Sequence, residues 1–126
     1  MKMFRNILAV LGLATACTAC AAEFQSLSVD EFETMLKSDS VMLVDVRTPA
    51  EFAESHIDGA VNIDVNNAAF VKNAESLDKS KQLAVYCRSG KRSKRAANVL
   101  SDMGFKVIEL NTGILGWKAS GKAVVK

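Results

Sequence analysis

The chain has 126 residues, 16 Lys+Arg against 14 Asp+Glu and a formal net charge of +2. That length fits one domain of about 100–150 residues, and the near-neutral balance argues against a nucleic-acid binder, which would carry a large basic excess. Hydrophobic residues at 49% exclude a disordered tail, no apolar run reaches the ~18 residues of a membrane span, and three cysteines with one histidine are too few for a disulfide scaffold or a multi-ligand zinc site.

Residues 1–22 read as an export signal ahead of a domain over 23–126. Lys2 and Arg5 form a positive n-region, Ile7 to Ala16 an apolar h-region, and small residues from Ala14 to Ala22 suit a signal peptidase. The alternative is a buried first helix, but no polar face interrupts residues 7–14 as an amphipathic helix requires. Two processing routes stay open. Ala19-Cys20-Ala21 permits cleavage near Ala22 and release. Ala14-Thr15-Ala16-Cys17 resembles a lipoprotein box that would lipidate Cys17, although Leu13 stands four residues before that cysteine instead of the usual three. Both routes predict a protein of the bacterial periplasm or cell envelope, touching the membrane only through such a lipid. Cleavage near Ala22 leaves Cys87 as the single thiol, which cannot be a structural cross-link and asks for a chemical role.

The remainder alternates helix and strand. Ser28-Val29-Asp30-Glu31 is a capping box, and Val29, Phe32 and Leu36 follow at helical spacing. Val41 to Val46 is a short apolar run closed by Asp45 and Arg47, which predicts a buried parallel strand. Thr48-Pro49-Ala50-Glu51 repeats the capping signal with proline at the first helical position, so a brief helix is expected to about Ser55. Gly59 marks a turn, Val61-Asn62-Ile63 a second strand and residues 67–77 another helix. Leu83 to Tyr86 is the third strand. Ser93 to Met103 places Ala96, Ala97, Leu100 and Met103 on one helical face, with Gly104 where a C-terminal cap belongs. Phe105 to Leu110 is the fourth strand, before a short helix around Trp117. The pattern predicts an α/β fold: a single domain with a mostly parallel open sheet and helices on both faces.

Chemistry concentrates between the third strand and its helix, in Cys87-Arg88-Ser89-Gly90-Lys91-Arg92-Ser93. Ligands of an open parallel sheet bind at the carboxyl ends of its strands. A tight Gly-containing loop opening a helix presents backbone N–H groups and a positive dipole end, an anion cradle that stabilises a thiolate. Five of the residues 88–95 are basic: Arg88, Lys91, Arg92, Lys94 and Arg95. Without Lys2 and Arg5 the domain is neutral, with 14 charges of each sign, so everything outside this segment carries nine basic against 14 acidic groups. A buried cysteine beside a solvated basic turn is the bland alternative. The coincidence of thiol, glycine and five cations favours attack on an anionic electrophile.

In these residues the chain resembles the single-domain rhodaneses, a family of sulfurtransferases. Cys87 to Arg92 resembles the family's six-residue active-site loop. Asp45-Val46-Arg47, Glu51-Phe52 and His56 to Ile63 resemble its upstream signature. Gly104-Phe105, Val107, Leu110, Gly113 and Trp117 resemble its downstream one, with Thr112 where a glycine is frequent. The likeness spans about residues 25–122 and implies a rhodanese-like fold. It implies that Cys87 attacks the outer sulfur of thiosulfate or a similar small anionic donor and becomes a persulfide, which a thiol, a protein or cyanide then accepts. Arg88, Ser89, Gly90, Lys91 and Arg92 would bind the substrate, with Arg88 and Arg92 as charged walls. Arg88 leans towards thiosulfate, because in two-domain relatives an arginine there goes with that donor. Asp45, Arg47 and Ser93 would support the site, and no metal or cofactor is implied.

His56 in a Gly-containing turn reads as a structural hydrogen-bonder, since a pre-ionised thiolate needs no separate base. Trp117 and Phe105 read as core, Asp102 and Lys106 as solvated surface. Three rival functions differ in what they require of the chain. A cysteine phosphatase or arsenate reductase needs Cys, five residues, then Arg, whereas Ser93 occupies that position here. A persulfide carrier or cell-envelope binding module would keep the basic mouth without multiple turnover. A thiol-disulfide oxidoreductase needs Cys-x-x-Cys, which occurs only at Cys17 to Cys20 in the export segment.

Overall fold

The computed structural model describes residues 23–126; the export-signal reading, with Cys17 and Cys20, lies outside these residues. The elements run in chain order as β1 (Gln25–Leu27), α1 (Val29–Met35), β2 (Val41–Asp45), α2 (Pro49–Glu54), β3 (Val61–Asn62), α3 (Phe70–Ala74), β4 (Gln82–Tyr86), α4 (Lys91–Asp102), β5 (Val107–Leu110) and α5 (Gly113–Ala119). The strands form one sheet in the order β1-β5-β4-β2-β3, and every neighbouring pair is parallel. The expected open α/β sheet with helices on both faces is what the chain forms.

Alternation along β4 explains the two layers. Leu83, Val85 and Cys87 face one side, packing with Val44, Val46, Phe70, Ala96, Ala97, Leu100 and Phe105, under α3 and α4. Ala84 and Tyr86 face the other, packing with Phe32, Leu43, Ile108, Leu110, Ile114 and Trp117, under α1 and α5. Both faces of the central strand are dry, which is why it reads as a continuous apolar run.

Local signals set the helix ends. Both capping boxes form: Ser28 with Glu31 at α1, and Thr48 with Glu51 at α2, where Pro49 opens the helix. At the end of α4, Gly104 N–H donates to the Ser101 carbonyl at 3.0 Å and Phe105 N–H to Leu100 at 3.1 Å. That pair of bonds is a Schellman motif, and it explains the glycine after Met103.

The structure departs from the expected elements in several places, and β5 begins at Val107, two residues after the expected Phe105. Strand β1 has no counterpart in the sequence reading, because three residues are too short to show a period. Helix α3 covers Phe70–Ala74 within the predicted 67–77, with Asn67 and Asp64 holding turns before it. Helix α4 begins at Lys91, two residues before the expected Ser93, because Gly90 itself is the N-cap.

Candidate active site

After β2 the chain turns towards β3 at one edge of the sheet, and after β4 it turns towards β5 and the other edge. The connections therefore diverge between β2 and β4. A crevice opens at such a switch point, beyond the carboxyl ends of the strands. Cys87 is the first residue past β4, and Arg47 stands at the matching end of β2.

Cys87 is buried, with 1% of its surface exposed. Its Sγ accepts hydrogen bonds from the backbone N–H groups of Gly90 at 3.1 Å and Ser93 at 3.3 Å. Both donors belong to the opening of α4, so the positive end of the helix dipole and the N–H groups face the sulfur together. Gly90 makes this possible. Its φ of +102° turns the chain from loop to helix, and a Cβ there would lie 2.0 Å from the Asn111 carbonyl oxygen. No other residue type fits that approach.

The loop is fastened from the α5 side. Ile114 N–H donates to the Cys87 carbonyl at 2.9 Å and Leu115 N–H to the Arg88 carbonyl at 3.1 Å. In a trans peptide the N–H opposes the C=O, so the amides of Arg88 and Ser89 point away from α5. Gly113 permits the contact, since a Cβ on it would meet the Arg88 carbonyl oxygen at 2.2 Å.

The five cations do not share one role. Arg92 donates to Glu51 through both terminal nitrogens, at 2.7 and 2.9 Å. The Arg92 hydrogen bonds hold the Glu51 carboxyl down at about 2, against the opposing effect of burial; Glu51 in turn raises the Arg92 pKa. Lys94 pairs with Glu109 at 3.1 Å. Arg95 reaches the Asn66 side chain. Arg88 and Lys91 are exposed and, among the described residues, neither forms an ion pair. Ser89 is exposed beside them. The mouth is thus less positive than the sequence count, because folding brings Glu51 and Glu109 to it.

Asp45 and Arg47 form a separate buried unit. Arg47 donates to the Asp45 carboxylate through Nε at 3.0 Å and a terminal nitrogen at 2.7 Å, and to the Ser55 carbonyl at 2.7 Å. Burial works to lower the Arg47 pKa, and the Asp45 hydrogen bonds and charge overcome it. Asn62 donates to the carbonyls of Asp45 and Arg47 at 3.0 and 2.9 Å. Asp45 lies in register with Tyr86, on the sheet face opposite Cys87. Tyr86 accepts the Ile57 N–H at 3.0 Å, and burial, then the Asp45 charge, push its phenol pKa up. The pair therefore shapes the β2–α2 turn and does not reach the sulfur.

His56 donates from Nδ1 to the Phe52 carbonyl at 2.8 Å, stacks on the Phe52 ring and bridges by its backbone to Val125. That is a structural role, as expected. Trp117 and Phe105 are core.

Sequence reasoning missed Glu109 and the clamping use of Glu51. Glu109 is wholly buried, with Ser93 Oγ at 2.7 Å, Lys94 Nζ at 3.1 Å and the Ser26 hydroxyl as partners. The signal was there: an acid inside the apolar run Val107-Ile108-Glu109-Leu110 cannot be buried unpaired.

Comparison with known proteins agrees with this architecture. A family model described as the rhodanese-like domain matches residues 28–120. The thiosulfate sulfurtransferase GlpE of Shewanella oneidensis is 37% identical over 98 residues, covering 76% of this chain and 94% of that protein. A sulfurtransferase of Allochromatium vinosum is 32% identical over 94 residues, covering 74% of this chain and 86% of its own. Among solved structures, a rhodanese-related protein from Thermoplasma volcanium superposes with a TM-score of 0.73 at 27% identity, over 81% of this chain and 98% of that one. With one thiol cradled at the switch point of a five-stranded parallel sheet, this chain belongs to the rhodanese-like family.

Proposed function

We propose that this protein moves a sulfane sulfur from thiosulfate, or a similar small anionic donor, through a persulfide on Cys87 to a thiophilic acceptor. The observation that carries this reading is the Cys87 sulfur held by the Gly90 and Ser93 N–H groups at 3.1 and 3.3 Å. Those donors are placed to hydrogen-bond a sulfur nucleophile and the persulfide it would form.

The reaction balances in two steps. The Cys87 thiolate attacks the outer sulfur of thiosulfate; a new S–S bond forms, the S–S bond to the sulfonate sulfur breaks, and sulfite leaves with the electron pair. Cyanide or a thiolate then attacks the terminal persulfide sulfur, takes it, and returns Cys87 as thiolate. The amides of residues 88–92 bind the anion and the persulfide, while exposed Arg88 and Lys91 draw the donor in and Arg92, braced by Glu51, forms the far wall.

A phosphatase reading is disfavoured because Ser93, not an arginine, fills the position six after Cys87 and gives its N–H to the sulfur. Thiosulfate and cyanide are supplied to the purified protein, and thiocyanate and the mass of Cys87 are followed. Thiocyanate and one added sulfur are expected. Neither product, or phosphate-ester hydrolysis lost in Cys87→Ser, overturns the reading.

Residues 1–22 fit an export signal by their charged, apolar and small-residue sequence, which puts the domain in the bacterial periplasm or cell envelope. Mass analysis of the N-terminus from cells distinguishes release near Ala22, lipidation at Cys17, and an uncut chain, which would overturn export.

A further inference from the structure

One buried charge lies beneath the loop and has no part in the steps above. Glu109 on β5 is fully buried, and both of its carboxylate oxygens are engaged. One takes Lys94 Nζ at 3.1 Å and the Ser26 hydroxyl; the other takes Ser93 Oγ at 2.7 Å. Each partner on α4 also touches the cradle. Ser93 gives its N–H to the Cys87 sulfur, and its Oγ lies 3.0 Å from the Gly90 carbonyl. Lys94 Nζ donates to that same carbonyl at 3.3 Å and to Asn111 Oδ1 at 2.9 Å.

The consequence is geometric. A hydroxyl has one proton, and a charge-assisted bond to a carboxylate is stronger than a bond to a neutral carbonyl. Ser93 therefore serves Glu109, and Lys94 satisfies the Gly90 carbonyl. The carboxylate holds both partners in place from below. Gly90 and Ser93 are the two residues whose N–H groups hold the sulfur, so whatever fixes the Gly90 carbonyl and the Ser93 side chain also aims those donors. Burying the Glu109 carboxylate completely costs desolvation that attraction to Lys94, whose side chain is 42% exposed, offsets only in part; a carboxylate kept under a reactive loop calls for a reason other than stability.

We propose that Glu109 is a positioning residue for Cys87: acting through Ser93 and Lys94, its carboxylate fixes the Gly90–Ser93 turn whose N–H groups hold the thiolate. The kinetic consequence rests on the sulfurtransferase reading, but the positioning itself does not. In the resting state the pair keeps the two donors on the sulfur. During transfer the same donors receive charge that moves between Cys87 and the outer sulfur, so a turn displaced by a fraction of an ångström loses rate more than binding.

The test separates positioning from simple charge compensation. Glu109→Gln removes the carboxylate that Ser93 and Lys94 share and is expected to lower stability. Glu109→Gln with Lys94→Met leaves no uncompensated charge, and its melting temperature is expected to return close to wild type. Its thiosulfate turnover is expected to stay down about 10- to 100-fold, with KM changed less than about twofold. Alkylation of Cys87 by neutral iodoacetamide, which needs no sulfur chemistry, is expected to be slowed in the same double variant. Recovery of stability, turnover and alkylation together overturns the proposal, since Glu109 then only neutralises Lys94. A double variant that fails to fold also overturns it, because the pair then serves the whole domain. If wild type forms no persulfide, the sulfurtransferase reading falls, and the alkylation rates alone decide the role of Glu109.

Discussion

Arg92 and Glu51 meet through two parallel hydrogen bonds, of 2.7 and 2.9 Å, that tie the first turn of α4 to the first turn of α2 across the mouth of the site. Glu51 is also the acid of the Thr48 capping box, taking the Thr48 N–H at 3.2 Å and hydroxyl at 3.1 Å on the same oxygen. One carboxylate thus caps the start of α2 and braces the Arg92 side chain beside the Cys87 loop. The bidentate geometry is specific to a guanidinium, which a lysine cannot reproduce.

That clamp predicts an acid-sensitive component of stability. The Arg92 hydrogen bonds, first among several causes, bring the Glu51 carboxyl from an ordinary 4.5 to about 2. A carboxyl with a lower folded than unfolded pKa stabilises the fold above its unfolded value and loses that contribution as pH falls through its folded value. Glu51→Gln removes the titration. Urea midpoints of wild type and variant are expected to differ most at neutral pH and to converge as pH falls from 4.5 towards 2. A constant difference across that range would show that Glu51 does not titrate this way.

Gly90 predicts a loss of both fold and function. Alanine there must hold a φ of +102° and place its Cβ 2.0 Å from the Asn111 carbonyl oxygen. Backbone strain alone costs about 1–3 kcal/mol, and relief of the clash moves the N–H that donates to Cys87. Gly90→Ala is expected to lower the chemical-denaturation midpoint and to cut thiocyanate formation per folded molecule at least about tenfold. A folded Gly90→Ala protein with wild-type turnover would show that the Gly90 donor is dispensable.

Asp45 and Arg47 predict the opposite split. Removal of one partner leaves a buried charge uncompensated, at a cost of about 3–5 kcal/mol. Arg47→Met is therefore expected to destabilise strongly, since Asp45 is wholly buried and the substitution removes the three hydrogen-bond contacts made by the Arg47 guanidinium. Persulfide formation per folded molecule is expected to stay within about twofold of wild type, because the pair faces away from the sulfur. Thermal melts and the mass of Cys87 on the same samples check both halves. A large loss of persulfide at full foldedness would bring Arg47 into the reaction.

What the sequence disclosed follows how far each signal reaches along the chain. Capping boxes at Ser28 and Thr48, the proline at Pro49 and the Gly104 stop act within four or five residues, and all four are realised. The loop from Cys87 to Ser93 is continuous, so its thiol, glycine and cations were visible together. Glu51 and Glu109 are 41 and 16 residues from the loop side chains they bind; only the parallel crossovers bring them there. For the same reason the sequence count overstated the free charge around Cys87. Strand β1 was invisible for another reason: Gln25–Leu27 is strand because β5 offers it an edge, not because three residues prefer it.

Arg88 provides the sharpest test of donor choice. Its carbonyl is fixed by the Leu115 N–H at 3.1 Å, while its side chain is exposed and free of an ion pair among the described residues. The charge is therefore available to a divalent anion approaching the cradle, unlike that of Arg92, which Glu51 already engages. An exposed charge contributes about 0–1 kcal/mol, up to about fivefold in kcat/KM, and salt screens it. Arg88→Gly is expected to lower kcat/KM for thiosulfate by that factor at low ionic strength, with the gap closing as salt is added. Arg88→Lys keeps the charge on the same anchored backbone and is expected to recover most of the loss. Unchanged thiosulfate turnover in Arg88→Gly would remove Arg88 from substrate recognition and leave the anion to the loop amides and Lys91.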